Sequence, residues 1–300
     1  MPILRLLCLK IGQRRPEDEM PKWGSYFGPI PKGVYGMPFL RIDNTEINYI
    51  TGKEGIIKGR KNLLFIHGGG GNHKAWLMQL RNFGADYNPI AIELPGHGES
   101  GGNGERNIEN YMNCVLKIIK SLSLKSCFMV GHSMGGAITL SFALKYPRYL
   151  DGIILAGSGA RLKVTPDILN GIKSGFQDAV KLICKFAYSD RMPKLIIEMG
   201  EKEMLKTDPE VLYDDFAACN AFDLLNDIHR IQVPTLIMCG SEDKLTFPKY
   251  SHFLHESIEG SQLKIIENAG HMIMIEKPKV FNSEIENFIL SVRTPEERST

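Results

Sequence analysis

Ser133 has a glycine two residues to either side, Gly131 and Gly135, in the stretch GHSMGG. The apolar residues 127–130 before it read as a buried strand, and AITLSFALKYP after it reads as a helix. Strand, tight turn and helix with serine at the apex make a nucleophile elbow. The spacing has a steric reason. The serine must sit on a sharp, strained turn so that its hydroxyl projects from the sheet, and side chains at the flanking positions would collide with the neighbouring strand and helix. The helix that follows aims its free N–H groups and positive dipole end at the place where negative charge would develop. A serine hydroxyl is a poor nucleophile at neutral pH. It needs a base in hydrogen-bond reach, and the base needs an orienting acid.

Eight histidines are available as the base. His132 adjoins the serine and its side chain is expected to point away. His67 and His97 sit in glycine-rich loops, and His73 opens a helix. His229, His252 and His255 fall in polar stretches and are expected at the surface. His271 directly follows the last strand-like run, in ENAGH, which puts it on a loop at a strand's carboxyl end, the same edge as Ser133. The acid should also follow a strand at that edge. TLIMCGSED supplies Asp243, and the order Ser, Asp, His is the one this arrangement uses. Glu242 competes by position; Asp243 is preferred because it lies further along the loop. A tetrahedral intermediate would need two backbone donors. One is expected to be the N–H of Met134. The other is expected from the four glycines 68–71 after the strand LLFIH, with Gly69 first and Gly70 as its neighbour.

These residues must be held by a sheet. FLRID and EINYITG read as two short strands turning at Asp43-Asn44, and KNLLFIH, YNPIAIEL, the elbow strand, LDGIILAG, VPTLIMCG and QLKIIE follow as further strands. Between them lie amphipathic helices, such as NIENYMNCVLKIIKSL with Ile108, Tyr111, Val115, Ile118 and Ile119 on one face. Strands that are almost continuously apolar and alternate with helices predict a parallel sheet covered on both faces. Residues 161–230 break that rhythm. TPDILNGIKSGFQDAVKLICKFAYS, RMPKLIIEMGEKEML and DPEVLYDDFAACNAFDLL each read as a helix, and no strand-like run occurs among them. An all-helical insertion there is best placed as a cap over the carboxyl ends of the strands, where such sheets bind ligands. The expected organisation is an arm over 1–38, a core over 39–160 and 231–300, and a cap over 161–230.

Composition sets outer bounds. Of the 300 residues, 43% are hydrophobic and 23% charged, as in an ordinary globular chain. A net charge of +2 makes no case for nucleic acid or an acidic partner. The six cysteines are scattered, with no C-x-x-C, which suggests a reducing compartment and no metal site. MPILRLLCLKIGQRR is interrupted by Arg5 and Lys10 and lacks a cleavage site, so it reads as no signal peptide, and a cytoplasmic location is expected. No run approaches the roughly 18 apolar residues of a spanning helix. Neither a dinucleotide fingerprint nor a phosphate-binding loop is present, and no cofactor is expected.

The pieces LLFIHGGGGNHKAW, IELPGHGES, MVGHSMGG, VPTLIMCGSEDKLTF and IIENAGHMIMIEKP resemble, in order and spacing, the α/β-hydrolase superfamily, in particular its capped carboxylesterases, enol-lactonases and carbon–carbon bond hydrolases. The likeness runs from about residue 39 to residue 292; residues 1–38 have no counterpart in it. Family members often carry Asp where this chain has Glu93, a structural position. The resemblance implies a mostly parallel eight-stranded sheet with helices on both faces and an inserted helical cap. It also implies a mechanism in which Ser133 attacks a carbonyl, His271 serves as base and then acid, and Asp243 holds the imidazole. Serine at the elbow argues against haloalkane dehalogenases and epoxide hydrolases, which share the fold with Asp there. The first reading is hydrolysis of small-molecule carboxylic esters with small to medium acyl chains. A second is carbon–carbon cleavage of a carboxylate-bearing substrate, for which a buried arginine is expected, with Arg161 and Arg191 in the cap region; lactone hydrolysis and cofactor-free perhydrolysis are variants. The reading from another class is a ligand receptor on the same fold, without turnover.

Overall fold

The structure, a computed structural model, describes residues 38–292; the proposed arm over 1–38 lies outside that range except for Pro38. Eight strands form one sheet: β1 (Phe39–Ile42), β2 (Thr45–Thr51), β3 (Asn62–Ile66), β4 (Asn88–Ile92), β5 (Cys127–His132), β6 (Leu150–Ala156), β7 (Thr235–Gly240) and β8 (Gln262–Ile266). Their order is β1-β2-β4-β3-β5-β6-β7-β8. The pairs β1–β2 and β2–β4 are antiparallel, and every pair from β4 onward is parallel. Asp43 takes the left-handed conformation (φ 52°) at the β1–β2 turn. The order reverses between β3 and β5, so the crevice beyond their carboxyl ends is where a ligand is expected in an open α/β sheet.

The apolar strands send alternate side chains to two covered faces. On one, Leu64, Ile66, Met129, Ile153 and Leu155 pack with α2 (Ile108–Ser121), α3 (Met134–Lys145) and α8 (Pro248–Ser257). All five residues expected on the apolar face of α2 are buried there, each contributing roughly 1.5–3 kcal/mol if fully removed from water. On the other face Phe65 packs against Trp76 and Phe83 of the segment leading into and through α1 (Leu77–Phe83), and Phe128 packs edge-on against Phe288 of α10 (Pro278–Ser291). The short α9 (Ile273–Glu276) precedes α10.

Four helices, α4 (Pro166–Ser174), α5 (Phe176–Ala187), α6 (Lys194–Met204) and α7 (Pro209–Ala221), intervene between β6 and β7. They have a small core of their own, built on Ile172, Val180, Ile183, Cys184 and Leu212. The insertion leaves and re-enters at a narrow neck. Arg161 and Asp223 form an isolated antiparallel bridge there, and Leu224 N–H donates to the Ala160 carbonyl at 2.8 Å. One correction concerns α4 and α5, which the sequence reads as one helix. Gly175 divides them: its N–H caps α4 on the Gly171 carbonyl, and its own carbonyl accepts from Ala179 to start α5. Among the described residues no helix is long and apolar enough to cross a membrane.

Candidate active site

Ser133 sits between β5 and α3 with φ 52° and ψ −113°, a backbone that side-chain-bearing residues rarely adopt and that costs on the order of 1–3 kcal/mol. The neighbours hold it there. Ser133 N–H donates to Ala156 O (2.9 Å), and its carbonyl accepts from Gly136 N–H (2.9 Å) and from the Ser158 hydroxyl (2.9 Å). The flanking glycines are required by contact. A Cβ on Gly131 would run into the Gly135 carbonyl, and one on Gly135 would lie 2.7 Å from the His67 carbonyl and nearer still to that of Ile66.

His271 lies on the loop between β8 and α9. Its Nδ1 is 2.9 Å from Asp243 Oδ2, with both side chains buried. Asp243 follows β7 and is fixed by its own loop: Oδ1 accepts the N–H groups of Leu245 (2.9 Å) and Thr246 (2.8 Å). The Thr246 hydroxyl donates to Oδ2 at 2.7 Å and stands 3.1 Å from His271 Nδ1, so it bridges acid and imidazole. Burial alone would push the Asp243 carboxyl up. The charge and hydrogen bond of His271, with the Thr246 donors, outweigh it and hold the carboxyl below its usual range. The Asp243 carboxylate is an acceptor, so Nδ1 carries the ring proton and leaves Nε2 free of it. Glu242, the competitor, pairs with Arg191 Nε at 3.0 Å.

His132, expected to point away, is engaged with the imidazole instead. Its ring lies 4.6 Å from the His271 ring, and its Nε2 donates to the His271 carbonyl at 3.2 Å. Burial, and then the His271 charge, push its pKa well down, so it is a neutral prop beneath the loop. The glycines facing the site leave it room. A Cβ on Gly157, itself left-handed (φ 53°), would stand 3.0 Å from His271 Nδ1. One on Gly68 would stand 2.8 Å from His132 Nδ1 and 3.2 Å from Ser133 Cβ. The loop after β3 therefore passes directly against the serine. Within that loop Gly71 N–H is taken by Gly68 O (3.0 Å) and Gly70 N–H by Asp215 Oδ2 (2.7 Å). Neither the Gly69 nor the Met134 amide has a hydrogen-bond partner among the described residues.

The remaining histidines fall as follows. His229, His252 and His255 are exposed. His73 Nδ1 is 2.5 Å from Glu93 Oε1; Glu93 Oε2 accepts from Asn48 (2.7 Å) and the Glu99 amide (2.7 Å). Burial opposes ionisation of Glu93, but these donors prevail and hold it down to about 2. Its carboxylate lies against Gly98, where a Cβ could not fit. His67 donates through Nδ1 to Gly68 O and accepts the Leu94 N–H at Nε2; burial and the neighbouring His97 lower it to about 4. His97 faces two acceptors, Pro95 O and Asp215 Oδ2, so both its nitrogens donate and the ring is an imidazolium. Burial works against that charge, but Asp215 prevails and raises the pKa. Among the described residues no group of three or more His, Cys, Asp or Glu is arranged to hold a metal.

Sequence reasoning singled out neither Thr246 nor Asp215. Asp215 carried a signal: on α7 it shares the face of Val211, Ala218 and Phe222, positions that bury apolar side chains, so a carboxylate there must have partners.

A family model, serine aminopeptidase S33, matches residues 58–278. Among solved structures, a thermophilic esterase is 33% identical, with a TM-score of 0.77, over 86% of this chain and 98% of its own. Among characterised sequences, a pimeloyl-acyl-carrier-protein methyl ester esterase of Neisseria meningitidis serogroup C is 24% identical over 77% of this chain and 94% of its own. The 3-oxoadipate enol-lactonase 1 of Acinetobacter baylyi is 26% identical over 77% and 89%.

Proposed function

The chain belongs to the serine aminopeptidase S33 family of α/β-hydrolases, and from that premise we propose that it hydrolyses carboxylic esters of small to medium acyl chain through an acyl-enzyme on Ser133. In this reading His271 Nε2 takes the proton of the Ser133 hydroxyl as it attacks the ester carbonyl. Asp243 and Thr246 keep the imidazole oriented and stabilise its charged form. The carbonyl oxygen, now an anion, is met by the N–H groups of Met134 and Gly69. The tetrahedral intermediate collapses as His271 returns the proton to the leaving alkoxide. Water, deprotonated by the same imidazole, then releases the acid. The observation that carries the reading is the buried Asp243–Thr246–His271 array at the carboxyl edge where Ser133 is held in a strained turn. The relatives named above, esterases and an enol-lactonase, act on open or cyclic esters, which undergo the same acyl chemistry.

We read residues 161–230 as a cap over the site, 39–160 and 231–300 as the core, and a reducing, cytoplasmic location as consistent with the five described cysteines being unpaired. Carbon–carbon cleavage finds less support. Arg161 and Arg191, the cations it would use, are about half to two-thirds exposed and paired with Asp223 and Glu242.

Hydrolysis of p-nitrophenyl esters from short to long acyl chain, beside Ser133→Ala, tests the proposal. Turnover is expected in the wild-type protein and should drop by about 10⁴-fold or more in the variant; the preferred chain length sizes the acyl pocket. A folded wild-type protein that turns over no ester or lactone, or a variant with an unchanged rate, overturns it.

A further inference from the structure

Asp215 is a buried carboxyl group that this reaction scheme leaves unused. It lies on α7, in the insertion, and is fully buried. Its three partners come from three separate parts of the core. Oδ1 accepts the Tyr111 hydroxyl of α2 at 2.5 Å, and Oδ2 accepts His97 Nε2, from the loop after β4, and Gly70 N–H, from the loop after β3, each at 2.7 Å. The Tyr111 oxygen in turn accepts the Glu105 N–H at 2.9 Å.

A carboxylate is an expensive way to pack this position. A leucine would fill the apolar face of α7, whereas a buried ion pair recovers its desolvation cost only with good geometry. What the charge supplies is an address. Three donors that point at one place can be satisfied only when α7 is seated. One of the three is in the glycine turn that lies against Ser133. The same turn is gripped a second time by the insertion: Thr207 Oγ1 donates to the Gly70 carbonyl at 3.2 Å. Gly70 is left-handed (φ 64°), and a Cβ there would collide with Leu212 of α7, so the turn and the helix are fitted to one another.

We propose that Asp215 is a positioning residue through which the cap holds the oxyanion loop, so that seating of α7 and alignment of the Gly69 amide are one event. The functional half of this inference rests on the hydrolase reading above. Asp215 fixes the Gly70 peptide, and the turn closed by Gly68 O and Gly71 N–H leaves the amides of Gly68 and Gly69 without a hydrogen-bond partner among the described residues, in a loop whose Gly68 lies against Ser133. With α7 lifted, a four-glycine run has little to choose one conformation over many.

The test uses the full chain, with Asp215→Asn and Tyr111→Phe as variants. Two readouts are taken: amide hydrogen exchange over 67–72, and kcat and KM on a p-nitrophenyl ester. Asp215→Asn should speed exchange in 67–72 by about tenfold or more while the β5 segment 127–132 stays protected. It should lower kcat by about 10- to 100-fold, with KM within about twofold, since removing an oxyanion donor outright costs about 10²–10³ in kcat. Tyr111→Phe, which leaves the ion pair in place, should show the same split at smaller size and stands in if the first variant does not fold. Folded variants with a protected 67–72 segment and an unchanged kcat, differing only in melting temperature, overturn the proposal. A wild-type protein with no Ser133-dependent turnover would sink the hydrolase reading, and the exchange readout would still decide whether Asp215 holds the loop.

Discussion

At Thr246 one hydroxyl touches both members of an acid–imidazole pair, and that geometry sets what its loss should do. It donates to Asp243 Oδ2 and lies within 3.1 Å of His271 Nδ1. Thr246→Val keeps the shape and removes the donor, so Asp243 Oδ2 loses one of its hydrogen bonds and the imidazole Nδ1 one of its two neighbours. The expected result is a fall in kcat of about tenfold, in the range of a lost hydrogen bond to a charged group, with KM little changed; Thr246→Ser should restore most of it. Equal kcat values in the Val variant and the wild type would show that the Asp243 loop amides suffice. The sequence carried the signal for Ser133, Asp243 and His271 because each lies within a few residues past the carboxyl end of a strand, and strand ends can be read from apolar runs. Thr246 is legible only after the Asp243 loop is seen to turn back through its own amides. His132 and Asp215 depend on contacts with residues more than 100 positions away in the chain, which no local pattern encodes.

Elements obey the same distinction between local and long-range causes. The strands, the elbow and α2 were readable because burial on two faces or one leaves a period in the sequence. The α4–α5 break was readable in principle, since Gly175 is a helix-ending residue, but both flanks continue the helical pattern and mask it. The two kinds of glycine should respond differently to alanine. At Gly135 a Cβ would press on the Ile66 and His67 carbonyls, which are backbone and cannot give way. Gly135→Ala should therefore destabilise by about 3 kcal/mol or more and abolish activity in whatever fraction folds. At Gly175 the nearest atom to a Cβ is the Gly171 carbonyl at 3.9 Å, and φ is −159°, open to any residue. Gly175→Ala should shift the urea midpoint little. Comparable losses at the two positions would contradict the view that the elbow glycines are demanded by contact and Gly175 by helix ending alone.

On the scale of the whole molecule, the histidines around the site make stability depend on pH in a direction that can be worked out. His67 and His132 are neutral in the fold, with pKa values pushed down by burial, His67 to about 4. In the unfolded chain both take up protons near the ordinary value of about 6.5. Between those limits the unfolded state binds more protons, so stability is fully present above about pH 6.5 and declines as the pH falls toward 4, at about 1.4 kcal/mol per pH unit for each proton taken up. His97 has the opposite sign. Its raised pKa means that its contribution is complete below 6.5 and is lost as the pH rises through the folded value, so it does not blunt the acid limb. Glu276, raised by burial, opposes the two histidines once the pH falls below its own folded value. Below about pH 4.5 the carboxylates add to the decline, as Glu93 and Asp243, both held low by their partners, begin to protonate in the unfolded chain. Urea unfolding at pH 7, 6 and 5 should therefore give a free energy that falls at each step, most steeply between 6 and 5. A free energy that is flat or rises over that interval would mean that His67 and His132 are not the buried neutral rings their partners require. The same protonations would strike the supports of the site before the sheet itself: His67 borders the glycine loop through Gly68, and His132 carries the His271 carbonyl. Acid loss of ester turnover should thus begin at a higher pH than the loss of far-ultraviolet circular dichroism, and coincidence of the two curves would place the first failure in the sheet.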